Sequence, residues 1–182
     1  YVEAKTRPAT VGDCGRRLRK LIWGVNTSAE GTEVAGLLEP AIAASAGKRI
    51  TASELAELRT IREAKGRKVD AGEPYAEEDT RFHELIGQAA RNELLTTMLG
   101  VIWDVLRSSR EQWLQTSARA HASVEAHQRI LQALEAHDPE AARAVAAEHI
   151  REVGEGILKL LDQGGLSTRT TSGVGKGSSS DG

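Results

Sequence analysis

Apolar residues recur every three or four positions along most of the chain, and this helical period constrains the fold more than any other feature of the sequence. No segment shows the sustained alternation of apolar and polar residues that is typical of a half-buried strand. The pattern predicts helices over 10–23, 29–46, 52–66, 75–90, 92–117, 120–136 and 139–162. The sequence therefore predicts an all-α protein, an antiparallel bundle of six or seven helices with short connections.

Several predicted helices carry recognisable start signals. Thr51 and Glu54 have the spacing of a capping box. Asp138 precedes Pro139, which places a hydrogen-bond acceptor at the N-cap and proline at the first helical position. Pro40 lies inside the second predicted helix, where it should kink the helix or mark a restart.

Composition excludes several classes of protein. The net charge of −2 excludes a uniformly basic protein that coats nucleic acid, and 3% aromatic residues are too few for a single-strand binder built on stacked rings. The single cysteine, Cys14, excludes an internal disulfide and a cysteine-based zinc finger. No apolar run approaches the ~20 residues that span a bilayer, so we expect a soluble, cytoplasmic protein without membrane contact.

The two ends of the chain differ from its middle. Of the 19 residues at 164–182, 14 are Gly, Ser or Thr, a composition that predicts a disordered tail. The first residue is Tyr1 rather than Met, which suggests that an upstream segment has been removed.

Three histidines and one aspartate lie on the apolar faces of predicted helices. His149 is in the middle of the apolar stripe of helix 139–162, and His127 has the same place in the helix before it. Asp79 and His83 are one turn apart on the inner face of helix 75–90. Four polar groups on inward faces need partners, because an unpaired buried polar group costs on the order of 1–3 kcal/mol.

The turn at Asp138 brings two of these histidines to one height. His127 lies 11 residues before this turn and His149 lies 11 residues after it, so both should be roughly 16 Å from it. With Asp79 and His83 from a third helix, the set offers three nitrogens and one oxygen, which suits zinc, nickel, iron or manganese. We favour a metal over the alternative, a polar network of core histidines and water.

Other signals are weaker. The basic stretch at 16–20 could contact phosphate, but we interpret it as the solvated face of an amphipathic helix. Trp103 and Trp113 on helix 92–117 are placed either to line a ligand pocket or subunit interface or to pack in the core. We find no glycine-rich phosphate loop and no Ser-His-Asp order.

Three stretches of the chain resemble the effector-binding FCD domain of GntR-type bacterial transcription regulators. They are EVAGLLEPAIAASAGKRITASELAEL at 33–58, DTRFHELIGQAARNELL at 79–95 and SVEAHQRILQALEAHDPEAARAVAAEHI at 123–150. The resemblance implies an effector-binding and dimerisation domain over 29–163. It also implies that residues 1–28 are a linker and linker helix that follow a missing winged helix-turn-helix, so that DNA is a partner only through that missing part.

By the same resemblance, Asp79, His83, His127 and His149 are the metal ligands, and the metal helps to hold a small carboxylate effector in a central cavity. The chain departs from the family pattern where the family commonly has an arginine that contacts the effector, since this sequence has Ala35.

Arg107 or Arg110, on the long helix 92–117, is our candidate for supplying the missing positive charge. Two alternatives stay open. One is a helical metal-dependent enzyme that uses the same histidines and aspartate to activate water or oxygen. The other is a metal-free helical interaction module.

Overall fold

The computed structural model describes residues 28–114 and 117–162 of the chain. Within these ranges it contains six α-helices and no strand, which confirms the predicted all-α class. The helices are α1 (Ser28–Gly47), α2 (Ala52–Asp70), α3 (Ala76–Ala89), α4 (Glu93–Leu114), α5 (Ser117–Glu135) and α6 (Pro139–Asp162). The helix predicted over 10–23, the basic stretch within it and the predicted tail at 164–182 lie outside the described residues.

The predicted start signals act as expected at two helices. At α2, the Thr51 hydroxyl accepts from the backbone N–H of Glu54 at 3.3 Å, and the Thr51 N–H donates to the Glu54 carboxylate at 2.9 Å. At α6, Asp138 Oδ1 accepts from the backbone N–H of Ala141 at 2.9 Å. These bonds satisfy N–H groups that the first helical turn leaves free. Pro40 does not cause a restart, because α1 continues through it as one helix.

α2 extends one turn beyond its predicted end at residue 66. Gly66 weakens the helical pattern there, but Lys65 and Val69 are both buried, so packing keeps the helix going to Asp70. Gly72, with φ of 68°, follows directly in the connection to α3. The extra turn matters for the site, because it places Lys65 well inside α2 rather than at its frayed end.

α1 lies at the centre of the bundle and packs most extensively against α6, with further contacts to α3, α4 and α5. Close approach of α1 and α6 requires Gly154, since a Cβ at that position would collide with the methyl group of Thr32. The largest apolar core joins residues of all six helices; its bulkiest members are Ile42, Leu58, Phe82, Ile130 and Leu134. This core surrounds the polar residues that make up the site.

Candidate functional site

The interior of the bundle holds one connected group of polar side chains, which we call the polar centre. It contains every buried polar or charged residue in the part of the chain that the structure describes: Glu39, Lys65, Asp79, His83, Ser123, His127 and His149. Five helices contribute to it, α1, α2, α3, α5 and α6. Burying seven polar groups is costly unless they bind one another or a shared ligand, so the polar centre is the candidate functional site.

Three histidines from three helices converge in the polar centre. The ring centroids of His83 and His127 are 5.0 Å apart, those of His83 and His149 are 5.5 Å apart, and those of His127 and His149 are 5.1 Å apart. One nitrogen from each ring lies within 4.8 Å of the other two. His127 and His149 therefore lie at the same height in the bundle, as their equal spacing from the Asp138 turn predicts.

His83 is held by a carboxylate that the sequence analysis did not identify. Its Nδ1 lies 3.0 Å from Glu39 Oε2, and both side chains are almost fully buried. An ionised carboxylate only accepts hydrogen bonds, so Nδ1 of His83 donates to Glu39 and Nε2 is the nitrogen left to act as a ligand. This Nε2 is buried and has no hydrogen-bond partner among the described residues. The ring is therefore oriented as histidine ligands of metals usually are, with one nitrogen anchored and the other available.

Asp79 is buried as predicted, but it is already paired. Lys65 Nζ lies 2.7 Å from Asp79 Oδ1, and the Ser123 hydroxyl lies 3.5 Å from the same oxygen. His127 Nε2 is further away from this oxygen, at 3.6 Å. The group of donor atoms that lie within 4.8 Å of one another consists of the three histidines. The role of Asp79 as a fourth metal ligand thus stays a prediction, and the ion pair with Lys65 opposes it.

Lys65 is the residue that the sequence analysis missed most clearly. Its side chain is fully buried, and Nζ lies 2.7 Å from Ser123 Oγ and 3.2 Å from His127 Nδ1 in addition to its contact with Asp79. The ammonium also lies 5.6 Å from the ring centre of Tyr75. A signal was present in the sequence, because Lys65 continues the inner stripe of α2 one turn after Ile61.

His127 is neutral in the folded protein. Complete burial lowers its pKa well below the usual value, and the positive charge of Lys65 lowers it further, against an opposing effect of Asp79. Phe82 stacks on the His127 ring with a centroid distance of 4.1 Å, which fixes the ring plane. Neutral imidazole is the form that binds metals.

The residues of the polar centre fit a divalent metal. Three imidazoles from three helices supply the nitrogen donors that zinc and nickel prefer. Nε2 of His83, buried and without a hydrogen-bond partner among the described residues, is placed to act as a ligand nitrogen. In the part of the chain that the structure describes, the ammonium of Lys65, between Asp79 and His127, is the group that acts against a second cation.

A small cavity adjoins the polar centre on the side of α1. Glu39 and His83 form its polar wall, and the rest is apolar: Ile42, Ala43, Ile86, Leu99, Ile130 and Ala146. In this conformation it has room for about one water molecule. A larger ligand would need the surrounding helices to move.

Three further positions were predicted to affect effector binding, namely Arg107, Arg110 and Ala35. Arg107 and Arg110 belong to α4, but their side chains lie outside the described residues, so their proposed role stays a prediction. Ala35 is buried in an apolar cluster with Ile102, Leu106 and Ile150, so this position brings no charge to the site.

The tryptophans and the other histidines can be placed in part. Trp103 is half-buried and packs against the core, with its ring 5.0 Å from that of His83; it therefore both packs in the core and borders the site. The side chain of Trp113 lies outside the described residues. His121 is exposed beside Asp70, and His137 contacts the Gly47 carbonyl at 3.1 Å, so neither joins the polar centre.

The described residues form a helical bundle with a cluster of histidines in its interior, an arrangement in which other bundle proteins build ligand and metal sites. Among known families, the FCD domain matches residues 30–152. The chain belongs to the FCD domain family, as the three resembling stretches predicted.

Two known proteins show how this chain relates to larger regulators. It is 29% identical over 116 residues to the galactonate operon transcriptional repressor of Escherichia coli K12, which covers 63% of this chain and 51% of the repressor. Among solved structures, a GntR protein of Streptococcus agalactiae matches with a TM-score of 0.60 and 27% identity, over 70% of this chain and 58% of that one. The chain thus spans about half the length of the curated relative. None of the helices that the structure describes is both long and apolar enough to cross a bilayer.

Proposed function

We propose that this chain is the effector-binding and dimerisation domain of a metabolite-responsive transcription regulator. In this proposal a small organic acid binds at a metal in the polar centre, and the response is passed to a winged-helix domain that precedes the FCD domain and contacts DNA. The protein acts as a homodimer in the cytoplasm, and its role is binding rather than catalysis. Membership of the FCD family and similarity to a transcriptional repressor support this reading.

The convergence of three buried histidines is the observation on which the metal proposal rests. His83, His127 and His149 would hold zinc, nickel or a similar divalent ion, with Asp79 as the predicted fourth ligand. When bound, the ion would supply positive charge and coordination positions for an effector carboxylate. Glu39 would keep the Nε2 of His83 directed at the site through its bond to Nδ1.

The charges of the polar centre support a metal-dependent acid sensor. The positive charge of Lys65 is compensated by the negative charge of Asp79, and Glu39 adds a second carboxylate to the polar centre. A carboxylate effector entering this buried region without another cation would meet a like charge, which is strongly unfavourable at low dielectric. Imidazole nitrogens can bind that cation without adding a negative charge of their own.

We propose a sugar acid as the first effector to test. The E. coli relative is named for the galactonate operon, and galactonate is a small organic acid with a single carboxylate. Galactonate should raise the thermal unfolding midpoint of the metal-loaded chain and should leave the metal-free chain unchanged.

Removal of one histidine tests the metal site directly. After metal loading and extensive dialysis, the wild-type chain should retain zinc or nickel in elemental analysis, because three buried donors share the ion. His127→Ala should reduce the metal affinity by about tenfold or more, since one ligand is lost. His121→Ala is the matched control, because this exposed histidine lies on the same helix as His127. Equal metal retention in the two variants would remove His127 from the ligand set, whereas a wild-type chain that retains no metal would favour a metal-free interaction module.

A further inference from the structure

We propose that Lys65 is an internal competitor of the metal and thereby sets the metal affinity of the polar centre. The inference rests on the proposed function in one respect, namely that His83, His127 and His149 bind a divalent ion. It adds that the chain carries its own cation at the same place. Binding of the metal then requires Lys65 to break its contacts with Asp79 and His127.

The contacts of Lys65 are those of a cation in a built site. Its ammonium has three N–H donors, and three acceptors lie close to it: Asp79 Oδ1 at 2.7 Å, Ser123 Oγ at 2.7 Å and His127 Nδ1 at 3.2 Å. An ammonium offers no lone pair, so the nitrogen of His127 must be the acceptor. Lys65 therefore uses the electron pairs of two residues that a metal would also use.

The ammonium and a metal exclude each other at these atoms. A lone pair of His127 that accepts from Lys65 cannot bind an ion, and Asp79 Oδ1 is likewise engaged. Two positive charges at adjacent positions also repel each other strongly in a buried region, where water screens them little. The Ser123 hydroxyl is a neutral partner on which Lys65 can remain when the other two contacts are lost.

The exchange also changes which helices are tied together. Lys65 links α2 to Asp79 of α3 and to Ser123 and His127 of α5. A metal held by the three histidines links α3, α5 and α6 instead. Metal binding would therefore weaken the polar contacts that α2 makes through Lys65. It would also add a metal contact to α6 through His149. This gives the domain two arrangements that a ligand can distinguish, as a sensor requires.

The experiment measures zinc affinity of the full 182-residue chain by competition with a chelator. The variants are Lys65→Met, Asp79→Asn and the double variant, with Lys68→Met as the matched control from the surface of the same helix. We expect Lys65→Met to bind zinc roughly 10- to 100-fold more tightly than wild type, because the competitor is gone. The gain should shrink in the Asp79→Asn background, since a neutral amide replaces the contested carboxylate there. Lys68→Met should match wild type.

Several results would overturn the inference, and they differ from failure of the proposed function. If wild type binds zinc through His127 but Lys65→Met binds it no more tightly, competition is refuted while the metal site stands. An equal gain with and without Asp79 would show general charge repulsion instead of competition for that carboxylate, and it would also refute the proposal. If neither wild type nor Lys65→Met binds zinc, both proposals fall. Zinc binding by Lys65→Met alone would support complete exclusion of the metal by the lysine.

Folding of the variants is monitored by circular dichroism with and without zinc. If Lys65→Met does not fold, Lys65→Gln replaces it, because an uncharged amide can still donate to Asp79 and Ser123. It is expected to bind zinc more tightly than wild type for the same reason, and an affinity equal to that of wild type would contradict the competition.

Discussion

Two ion pairs join the same two helices but lie in different surroundings. Lys65 of α2 pairs with Asp79 of α3 in the interior, and Lys68 pairs with Glu78 one turn further along α2. Both pairs have an N–O distance of 2.7 Å. The side chains of the inner pair are 0% and 3% exposed, whereas those of the outer pair are 33% and 15% exposed. Distance alone therefore does not distinguish them, and burial does.

The difference in burial gives the two pairs different roles. Water reaches the outer pair in part, so loss of one partner leaves a charge that is still partly solvated. The inner pair has lost its water, and each partner depends on the other to compensate for that loss. An inner charge left alone needs another counter-ion, which is why the interior pair can be coupled to metal binding and the surface pair cannot.

The largest expected effect is on stability, when one charge of the inner pair is removed. In metal-free protein, Lys65→Met should lower the free energy of unfolding by about 3–5 kcal/mol, because it leaves Asp79 buried without its cation. Urea unfolding in the presence of a chelator measures this change. The double variant Lys65→Met with Asp79→Asn should be more stable than the single variant, since no charge remains unpaired. If Lys65→Met were as stable as wild type, Asp79 would have to be solvated in the folded variant, and burial would not distinguish the inner pair from the outer pair.

A second effect concerns pH and arises from His127, which borders the inner pair. Its pKa in the folded state lies well below 6.5, so the unfolded chain binds a proton that the folded chain does not. Stability is therefore complete above the unfolded pKa of 6.5 and decreases as the pH falls below it. As the pH is lowered from about 7.5 to 5.5, proton binding to His127 in the unfolded chain should lower the unfolding free energy of the metal-free protein by about 1.4 kcal/mol.

Two variants isolate the contribution of His127 to this pH dependence. His127→Gln should lose it, whereas His121→Ala should retain it, because His121 is exposed on the same helix. Chemical unfolding at a series of pH values measures both. A wild-type curve that is flat below pH 6.5 would mean that His127 is accessible to protons in the folded protein.

The sequence was sufficient to predict the six helices of the described residues, apart from their ends, and the buried positions of three histidines. Helical period placed Asp79, His83, His127 and His149 on inner faces, and all four are buried. The symmetric spacing of His127 and His149 about Asp138 also predicted their meeting, because two antiparallel helices rise equally from one turn. These features follow from one helix or from one turn, and so they can be read from a single sequence.

The partners of those residues could not be predicted in the same way. Lys65 is a long charged side chain, a type that is rarely buried, and it is buried here only because Asp79 and Ser123 lie on neighbouring helices. Glu39 directly precedes Pro40 and meets His83 of another helix. Such pairings depend on the rotation of each helix within the bundle, which periodicity does not determine. The polar centre was therefore recognised from its histidines, while its charges became evident only in the structure.

The smallest expected effect concerns the outer ion pair. Lys68→Met should lower the free energy of unfolding by much less than Lys65→Met does, on the order of 1 kcal/mol or less, because both side chains of the outer pair are partly exposed. The two ion pairs should also differ in how their loss depends on salt concentration. High ionic strength screens exposed charges, so any difference between Lys68→Met and wild type should vanish there. The destabilisation by Lys65→Met should persist, because mobile ions do not reach a fully buried ammonium. Urea unfolding of both variants at low and high salt gives this comparison, and equal salt dependence would show that the two pairs share one environment.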